Sequence, residues 1–302
     1  MFGVTILGNN SAIPSNDRHP TSQVVTIEDQ LLLLDCGEGT QMQFNRYKIR
    51  RSKITYIFIS HLHGDHYFGL IGVITSMALL NRLDDLHIYG PEKLKDIIEI
   101  QLDAAGIVLP FKLFIHALTE TKLIVEEKKF TVSCFPADHR IECWGFVIRE
   151  KKNPRKIDIE KISQSEIPKA YYDELKKGED YIKKDGSVIL NHEVTIPNTP
   201  PRSYAFCADT RYNESIIQYV KNVSMLYHET TYLKDQLDRA HERFHSTTEQ
   251  AATIALKAEV GELIIGHFSS KYEDLGLFLD EAREVFDNTF LATEGATHRI
   301  TI

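Results

Sequence analysis

Cysteine is scarce in this chain of 302 residues. There are four, Cys36, Cys134, Cys143 and Cys207, far apart and with no Cys-x-x-Cys pair. That excludes a disulfide framework and leaves four thiols to be read as reduced and packed. Net positive charge is also lacking: the formal charge is −8, so no global field draws in nucleic acid. No apolar run is long enough to span a bilayer. The longest, Phe68–Leu80, carries Thr75 and Ser76, stops at Asn81-Arg82, and reads as a core helix. Val4–Gly8 follows Met1 without a basic segment or the long apolar stretch of a secretory signal, so a cytoplasmic protein with no membrane contact is expected. The rest of the composition is ordinary. Apolar residues make up 42% of the chain, enough for one large domain or two small ones, and this excludes wholesale disorder, collagen and coiled coil.

Short aliphatic or β-branched runs alternate with longer amphipathic ones. Phe2–Leu7, Val24–Thr26, Leu31–Asp35, Thr55–Ser60, Leu86–Tyr89, Phe111–His116 and Phe130–Pro136 read as strands. So do Ser203–Cys207, Met225–His228 and Glu262–Gly266 further on. Phe68–Arg82, Pro91–Ala105, Ser246–Ala258 and Leu275–Phe286 read as helices, with Ser246 or Thr247 as a cap. This rhythm predicts a layered α/β domain. Residues 150–202 break it. There the composition shifts to Lys, Glu, Asp, Pro and Tyr, with Lys151-Lys152, Arg155-Lys156, Lys176-Lys177 and Lys183-Lys184. The segment reads as an insertion projecting from the core; for a run of charge the competing reading is a solvated loop.

The segment that carries chemistry is Ser60-His61-Leu62-His63-Gly64-Asp65-His66. It follows a predicted strand and precedes a predicted helix. His61 and His63 are two apart, so an extended backbone points both rings the same way. Gly64 permits a sharp turn that brings Asp65 and His66 round to the same place. Three imidazoles and a carboxylate at this density suit a metal ion, zinc included, with no thiolate needed. A single histidine is more often a satisfied core or surface residue; four donors in six residues reverse that. His139, Asp209 and His267 each stand just past the carboxyl end of a predicted strand, where ligands collect in layered α/β folds. Singly, Asp209 could start a turn and His267 could cap a sheet. Jointly they add three donors, one a carboxylate able to bridge two ions.

The order His-x-His-x-Asp-His, then His, Asp and His, resembles the metallo-β-lactamase superfamily. Further motifs resemble the ribonuclease Z family within it: Asp35-Cys36-Gly37-Glu38-Gly39-Thr40-Gln41, Ala208-Asp209-Thr210-Arg211, His228-Glu229-Thr230-Thr231, His245-Ser246-Thr247 and His267-Phe268-Ser269-Ser270. The resemblance spans nearly the whole chain. It implies a four-layer αβ/βα sandwich, one domain over residues 1–302 with residues 150–202 as an inserted flexible arm. It also implies two Zn²⁺ per chain. One would take His61, His63 and His139, the other Asp65, His66 and His267, with Asp209 bridging. Asp65 matches the family's general base, and Glu229 and His245 a pair that protonates the leaving oxygen. The implied activity is removal of the 3′ trailer from precursor tRNA by a metal-activated hydroxide, leaving a 3′-hydroxyl, in a homodimer.

That chemistry is coherent. A phosphodiester is anionic, and two divalent ions neutralise it and orient the attacking and departing oxygens. An imidazole held by a carboxylate titrates near neutrality and suits a sugar oxygen that must receive a proton. His245 also has a bland reading, as the neighbour of a helix cap. RNA binding would rest on local basic surface. The inserted arm, with its paired lysines and Tyr171, Tyr172 and Tyr181, is expected to grip tRNA backbone and bases. The family's Gly-Pro arm motif is replaced here by Pro168-Lys169-Ala170. A second basic cluster, Lys48, Arg50, Arg51 and Lys53, could line the cleft entrance or lie on a solvated edge. Two other functions stay open: a phosphodiesterase of the same superfamily acting on small or cyclic nucleotide diesters, and a non-catalytic RNA-binding protein with the same fold.

Overall fold

The structure is a computed structural model describing residues 1–151 and 153–301; Lys152, one of the lysines singled out above, lies outside them. The strands in chain order are β1 (Phe2–Gly8), β2 (Ser22–Ile27), β3 (Gln30–Cys36), β4 (Ile54–Phe58), β5 (Leu86–Gly90), β6 (Leu113–Ala117), β7 (Lys122–Glu126), β8 (Phe130–Pro136) and β9 (Trp144–Glu150). Then come β10 (Lys156–Ile157), β11 (Tyr181–Ile182), β12 (Val188–Ile189), β13 (Thr195–Ile196), β14 (Ser203–Cys207), β15 (Met225–Glu229), β16 (Glu262–Gly266), β17 (Thr289–Leu291) and β18 (Thr297–Arg299). They build two seven-stranded sheets, β18-β1-β2-β3-β4-β5-β6 and β17-β16-β15-β14-β9-β8-β7, and two small two-stranded ribbons. Both large sheets are mixed. β3 to β6 run parallel through helical crossovers, as do β14 to β17.

Strand alternation decides the layers. In β14, Tyr204 and Phe206 join the core between the two sheets, where they meet Phe58, Phe146 and Tyr227. Their neighbours Ala205 and Cys207 point the other way, towards Ile216, Val220, Ile254 and Phe278 of the covering helices. On the far face of the first sheet, Leu33, Ile57 and Ile88 pack under Phe44, Leu70, Ile74 and Ile98. The result is helix, sheet, sheet, helix, the four-layer sandwich expected.

Several details depart from expectation. The helix expected over 68–82 spans Leu70–Leu79, because Gly69 is pressed against the backbone of Gly37 and Cys36. Gly64 makes no positive-φ turn; it is the first residue of the short helix Gly64–Tyr67. β7, β9, β17 and β18 were not anticipated: β9 mixes Gly145 and charge at its end, and β17 and β18 are three residues each. The basic cluster 48–53 precedes β4, at the opposite end of that strand from His61, so it lines grooves away from the metal loop and not the cleft entrance. The cysteines are free and buried, as expected. Among the described residues, no helix is long and apolar enough to cross a membrane.

The described chain divides into two compact units, residues 1–149 with 202–301, and residues 150–201. The second unit is not a featureless loop. It holds the β10–β13 and β11–β12 ribbons, three short helices, and a small core of Ile162, Ile167, Leu175 and Val194. Tyr171 and Tyr181 pack edge to face at 5.0 Å, and with Tyr172 they cover that core. All three rings are half-buried by this packing. Lys176 and Lys177 reach Asp173 and Glu174 on their own helix.

Candidate metal centre

Each donor loop leaves a strand at its carboxyl end. β4 runs into 59–66, β8 into Ala137-Asp138-His139, β14 into Ala208-Asp209, and β16 into His267. Four of the seven donors are buried, His61 and His66 at 0% exposed, His267 at 1% and Asp209 at 2%, while His63, Asp65 and His139 are half-buried. All seven side chains expected from the sequence converge.

Buried groups outside the metal loop's own ligands fix the orientation of the rings. Ser60 Oγ donates to Asp35 Oδ2 at 2.8 Å, so it accepts from His61 Nδ1 at 2.9 Å. His66 Nδ1 donates to Asp35 Oδ2 at 2.7 Å. Thr231 Oγ donates to Glu229 Oε2 at 2.8 Å and accepts from His267 Nδ1 at 2.9 Å. His139 Nδ1 donates to the Phe244 carbonyl at 2.9 Å. Four rings thus carry their proton on Nδ1 and turn an Nε2 lone pair inward. Sequence reasoning assigned no such role to Asp35, Ser60, Thr231 or Phe244. Asp35 and Thr231 stand in motifs quoted above for the family resemblance and Ser60 opens the metal segment, while Phe244 left no trace.

The lone pairs meet in two sets. His63 Nδ1 lies 3.0 Å from His61 Nε2 and 3.1 Å from His139 Nε2. His66 Nε2 and His267 Nε2 are 3.3 Å apart, and Asp65 Oδ2 is 3.5 Å from each. Asp209 stands between: Oδ2 is 3.6 Å from His61 and 3.8 Å from His139, while Oδ1 is 3.4 Å from His66 and 3.2 Å from His267. A tetrahedral ion with bonds of about 2.0–2.1 Å needs donor–donor separations of about 3.4 Å. Opposed lone pairs at these distances repel unless a cation lies between them. Asp209 Oδ1 is buried without a hydrogen-bond partner, a costly state that an ion would relieve. The residues therefore fit a metal. Cys143 Sγ sits 3.6 Å from His61 Nδ1, on the outer side of the ring, and is not a donor.

The electrostatics differ between the two donor sets. Burial pushes the pKa of His61 well down and, with His139, that of His63 down to about 4, favouring neutral ligands, whereas against the cost of burial Asp209, Asp65 and Asp35 raise that of His66. Burial would raise Asp65, but His66 and His267 hold its carboxyl far below the usual range. Asp65 Oδ2 also accepts from the Ala12 backbone at 2.7 Å, tying the loop 9–20 over the centre.

Beside the donors stands a second carboxylate–imidazole pair. Glu229, fully buried, accepts from His245 Nδ1 at 3.0 Å and from the backbone of Thr210, Thr231 and Ser246. Burial alone would lower His245; Glu229 raises it above its ordinary value. Thr247 caps the following helix, with Gln250 completing the capping box. His245 itself faces the cleft, which holds about 440 Å³ and is lined also by His63, Asp65 and Asp209.

One brace ties these loops together. Phe244 adopts the left-handed conformation, φ 61°, rare for a bulky residue. Its ring lies 4.1 Å under the Arg211 guanidinium, which pairs with Asp138 through two contacts of 3.2 Å. The residue whose carbonyl orients His139 therefore also sets the backbone entry to His245.

Two stacked mixed sheets between helices, with nitrogen and oxygen donors gathered at strand ends, define a metallo-β-lactamase-fold protein. Solved structures agree with that class. The chain is similar to human tRNase Z, short form, with a TM-score of 0.74 and 26% identity over 99% of this chain and 100% of that one. It is similar in fold to the metallo-β-lactamase-fold protein YhfI from Bacillus subtilis, TM-score 0.69, 20% identity, covering 98% of each. A family model described as the anti-Pycsar protein Apyc1 matches residues 2–142. The ribonuclease Z of Bacteroides fragilis (strain YCH46) is 42% identical over 295 residues, 97% of each chain. The chain belongs to the ribonuclease Z family.

Proposed function

We propose that this protein is an endoribonuclease that cuts the 3′ trailer from precursor tRNA and leaves a 3′-hydroxyl on the tRNA. The observation that carries this is the Asp209 carboxylate, one oxygen facing each donor set, beside the His245–Glu229 pair in one cleft of a ribonuclease Z family chain. We assign His61, His63 and His139 to one ion and Asp65, His66 and His267 to another, with Asp209 shared. Zinc suits this thiolate-free set. When bound, two such ions neutralise the scissile phosphate and acidify water towards neutral pH.

The chain's own groups supply the remainder. Asp65, which lines the cleft, presents a carboxylate that can take a proton from the attacking water. His245, its pKa raised by Glu229 against the cost of burial, can donate a proton to the departing 3′ oxygen. Glu229 holds the ring through Nδ1, which leaves Nε2 as the proton donor. A full set of seven donors argues against a non-catalytic RNA-binding role.

The unit 150–201 is assigned as the tRNA-holding arm. Its lysines, such as Lys183 and Lys184, and its own core support a preformed protein surface that meets phosphates. The reading includes a homodimer in the cytoplasm; exposed Leu79, Leu80 and Leu83 on the body supply apolar surface for association. The test is cleavage of a trailer-bearing tRNA with and without a chelator, followed by end-group analysis, beside small and cyclic nucleotide diesters. Chelator-sensitive cleavage yielding a 3′-hydroxyl is expected. Hydrolysis of the small diesters with the tRNA untouched would overturn the reading.

A further inference from the structure

Phe68 is 62% exposed at the mouth of the metal cleft, which it lines together with Ile13, His63, Asp65 and His245. The ring is not loose. One side rests on Gly64, where a Cβ would lie 2.2 Å from the ring, and Tyr67 packs edge-on at 5.0 Å. Gly64 has no positive φ, so its backbone conformation does not call for glycine; the Phe68 ring does. Behind the ring, the Gly69 N–H donates to the Cys36 carbonyl at 2.9 Å and pins the chain there. The backbone cannot carry Phe68 into the core, and the remaining ring face is left to water at a hydrophobic cost. Ile13, 56% exposed, belongs to the loop that Ala12 ties to Asp65. Two exposed apolar side chains thus flank the polar, half-buried His63, Asp65 and His245.

We propose that Phe68 is a nucleobase-stacking subsite, which receives the base of a nucleotide adjoining the scissile phosphate while Ile13 closes the other side. This rests on the nuclease reading above. Metal donors and a proton donor contact a phosphate and cannot tell one phosphodiester of a strand from the next. A rigid aromatic face takes any base, whatever its sequence. It therefore sets which phosphate halts over the donors without restricting the tRNA. An unpaired 3′ end offers such unstacked bases.

The experiment is a cycle between the ring and the base. Trailer-bearing tRNAs are made abasic at the nucleotide on the 5′ side of the cut, or at the one on the 3′ side, and cleaved by wild type, Phe68→Ala and Phe68→Trp. One abasic substrate should lose about 10-fold in kcat/KM with wild type, and Phe68→Ala should lose about as much on the intact substrate. The two together should lose no more than either alone, and Phe68→Trp should keep wild-type rates. Which abasic position responds identifies the stacked nucleotide. Binding of a tRNA with 2-aminopurine at that position and a non-hydrolysable scissile linkage to the metal-loaded protein gives a second readout: the quenching should disappear in Phe68→Ala. Losses that multiply, unaffected abasic substrates, or a Phe68→Ala that cleaves normally would overturn the proposal. So would a Phe68→Ala whose only change is its sedimentation, since that places the ring between copies of the chain. Failure of wild type to cut intact tRNA would instead sink the nuclease reading.

Discussion

The metal-bearing body and the inserted unit spend their polar residues in opposite ways. In the body, His61, His66, Asp35, Asp209 and Glu229 are almost fully buried, and Asp35 and Glu229 each hold an imidazole by a hydrogen bond. In the unit 150–201, charges stand in solvent and pair with neighbours three residues away, as Lys176 does with Asp173 and Lys177 with Glu174. Such exposed pairs hold little free energy and exchange readily for other anions, including phosphates. Buried networks are the reverse: removing one member leaves others unsatisfied. Chemistry requires the first arrangement, and sequence-tolerant electrostatic binding requires the second.

That contrast can be broken or sharpened in order of expected effect. Asp209→Ala removes the carboxylate common to both donor sets. Metal analysis of the purified variant should find the ions largely lost and tRNA cleavage at background. Retention of full metal content would contradict the shared role. Next, deleting residues 155–198 should abolish tRNA processing while the body keeps its metal and still hydrolyses a small chromogenic diester. Equal survival of both activities would remove the unit from substrate binding.

Glu229→Gln should act more narrowly, lowering kcat by roughly 10²-fold, within the range of a proton-transfer contribution. The sign of its pH effect follows from His245. Glu229 raises that pKa, so the wild type keeps the donor protonated to higher pH and loses activity as pH rises through the raised value. In Glu229→Gln the alkaline limb should move to lower pH, and a profile that stays in place would clear His245 of the donor role. Smallest is Arg211→Ala, which frees the Phe244 ring. It should lower kcat about 10-fold with KM for tRNA unchanged, the scale of an outer-sphere contact to a metal-binding histidine. Arg211→Lys should recover little, since an ammonium cannot fork onto Asp138.

Much of the body was legible. The strands from Phe2 to Pro136 were bounded by turn residues and rich in β-branched side chains, and nearly all were found. The donor loop was legible because four ligands fall within six residues, too dense for chance. His139, Asp209 and His267 were legible because each directly follows an apolar strand. Strands β17 and β18 were not, since three residues carry no periodicity. The role of Gly64 was misread, because a close approach by a ring four residues later has no sequence signature. That the tyrosines of the inserted unit pack on a small core was not legible, for a related reason. Composition cannot distinguish a ring offered to solvent from one covering a four-residue core. Phe244 and Arg211 were silent too: strain at a non-glycine residue shows only in coordinates.

By itself, the sequence determined the inventory: which candidate donors exist, that each stands just past the end of a strand, and that nitrogen and oxygen suffice without a thiolate. Tertiary structure alone decided which nitrogen of each imidazole faces inward. Those tautomers are set by Ser60, Asp35, Thr231 and the Phe244 carbonyl; all but Ser60 reach their histidines from distant parts of the chain. Hydrogen bonds are directional and short, so such choices are made only once folding has brought the partners within 3 Å.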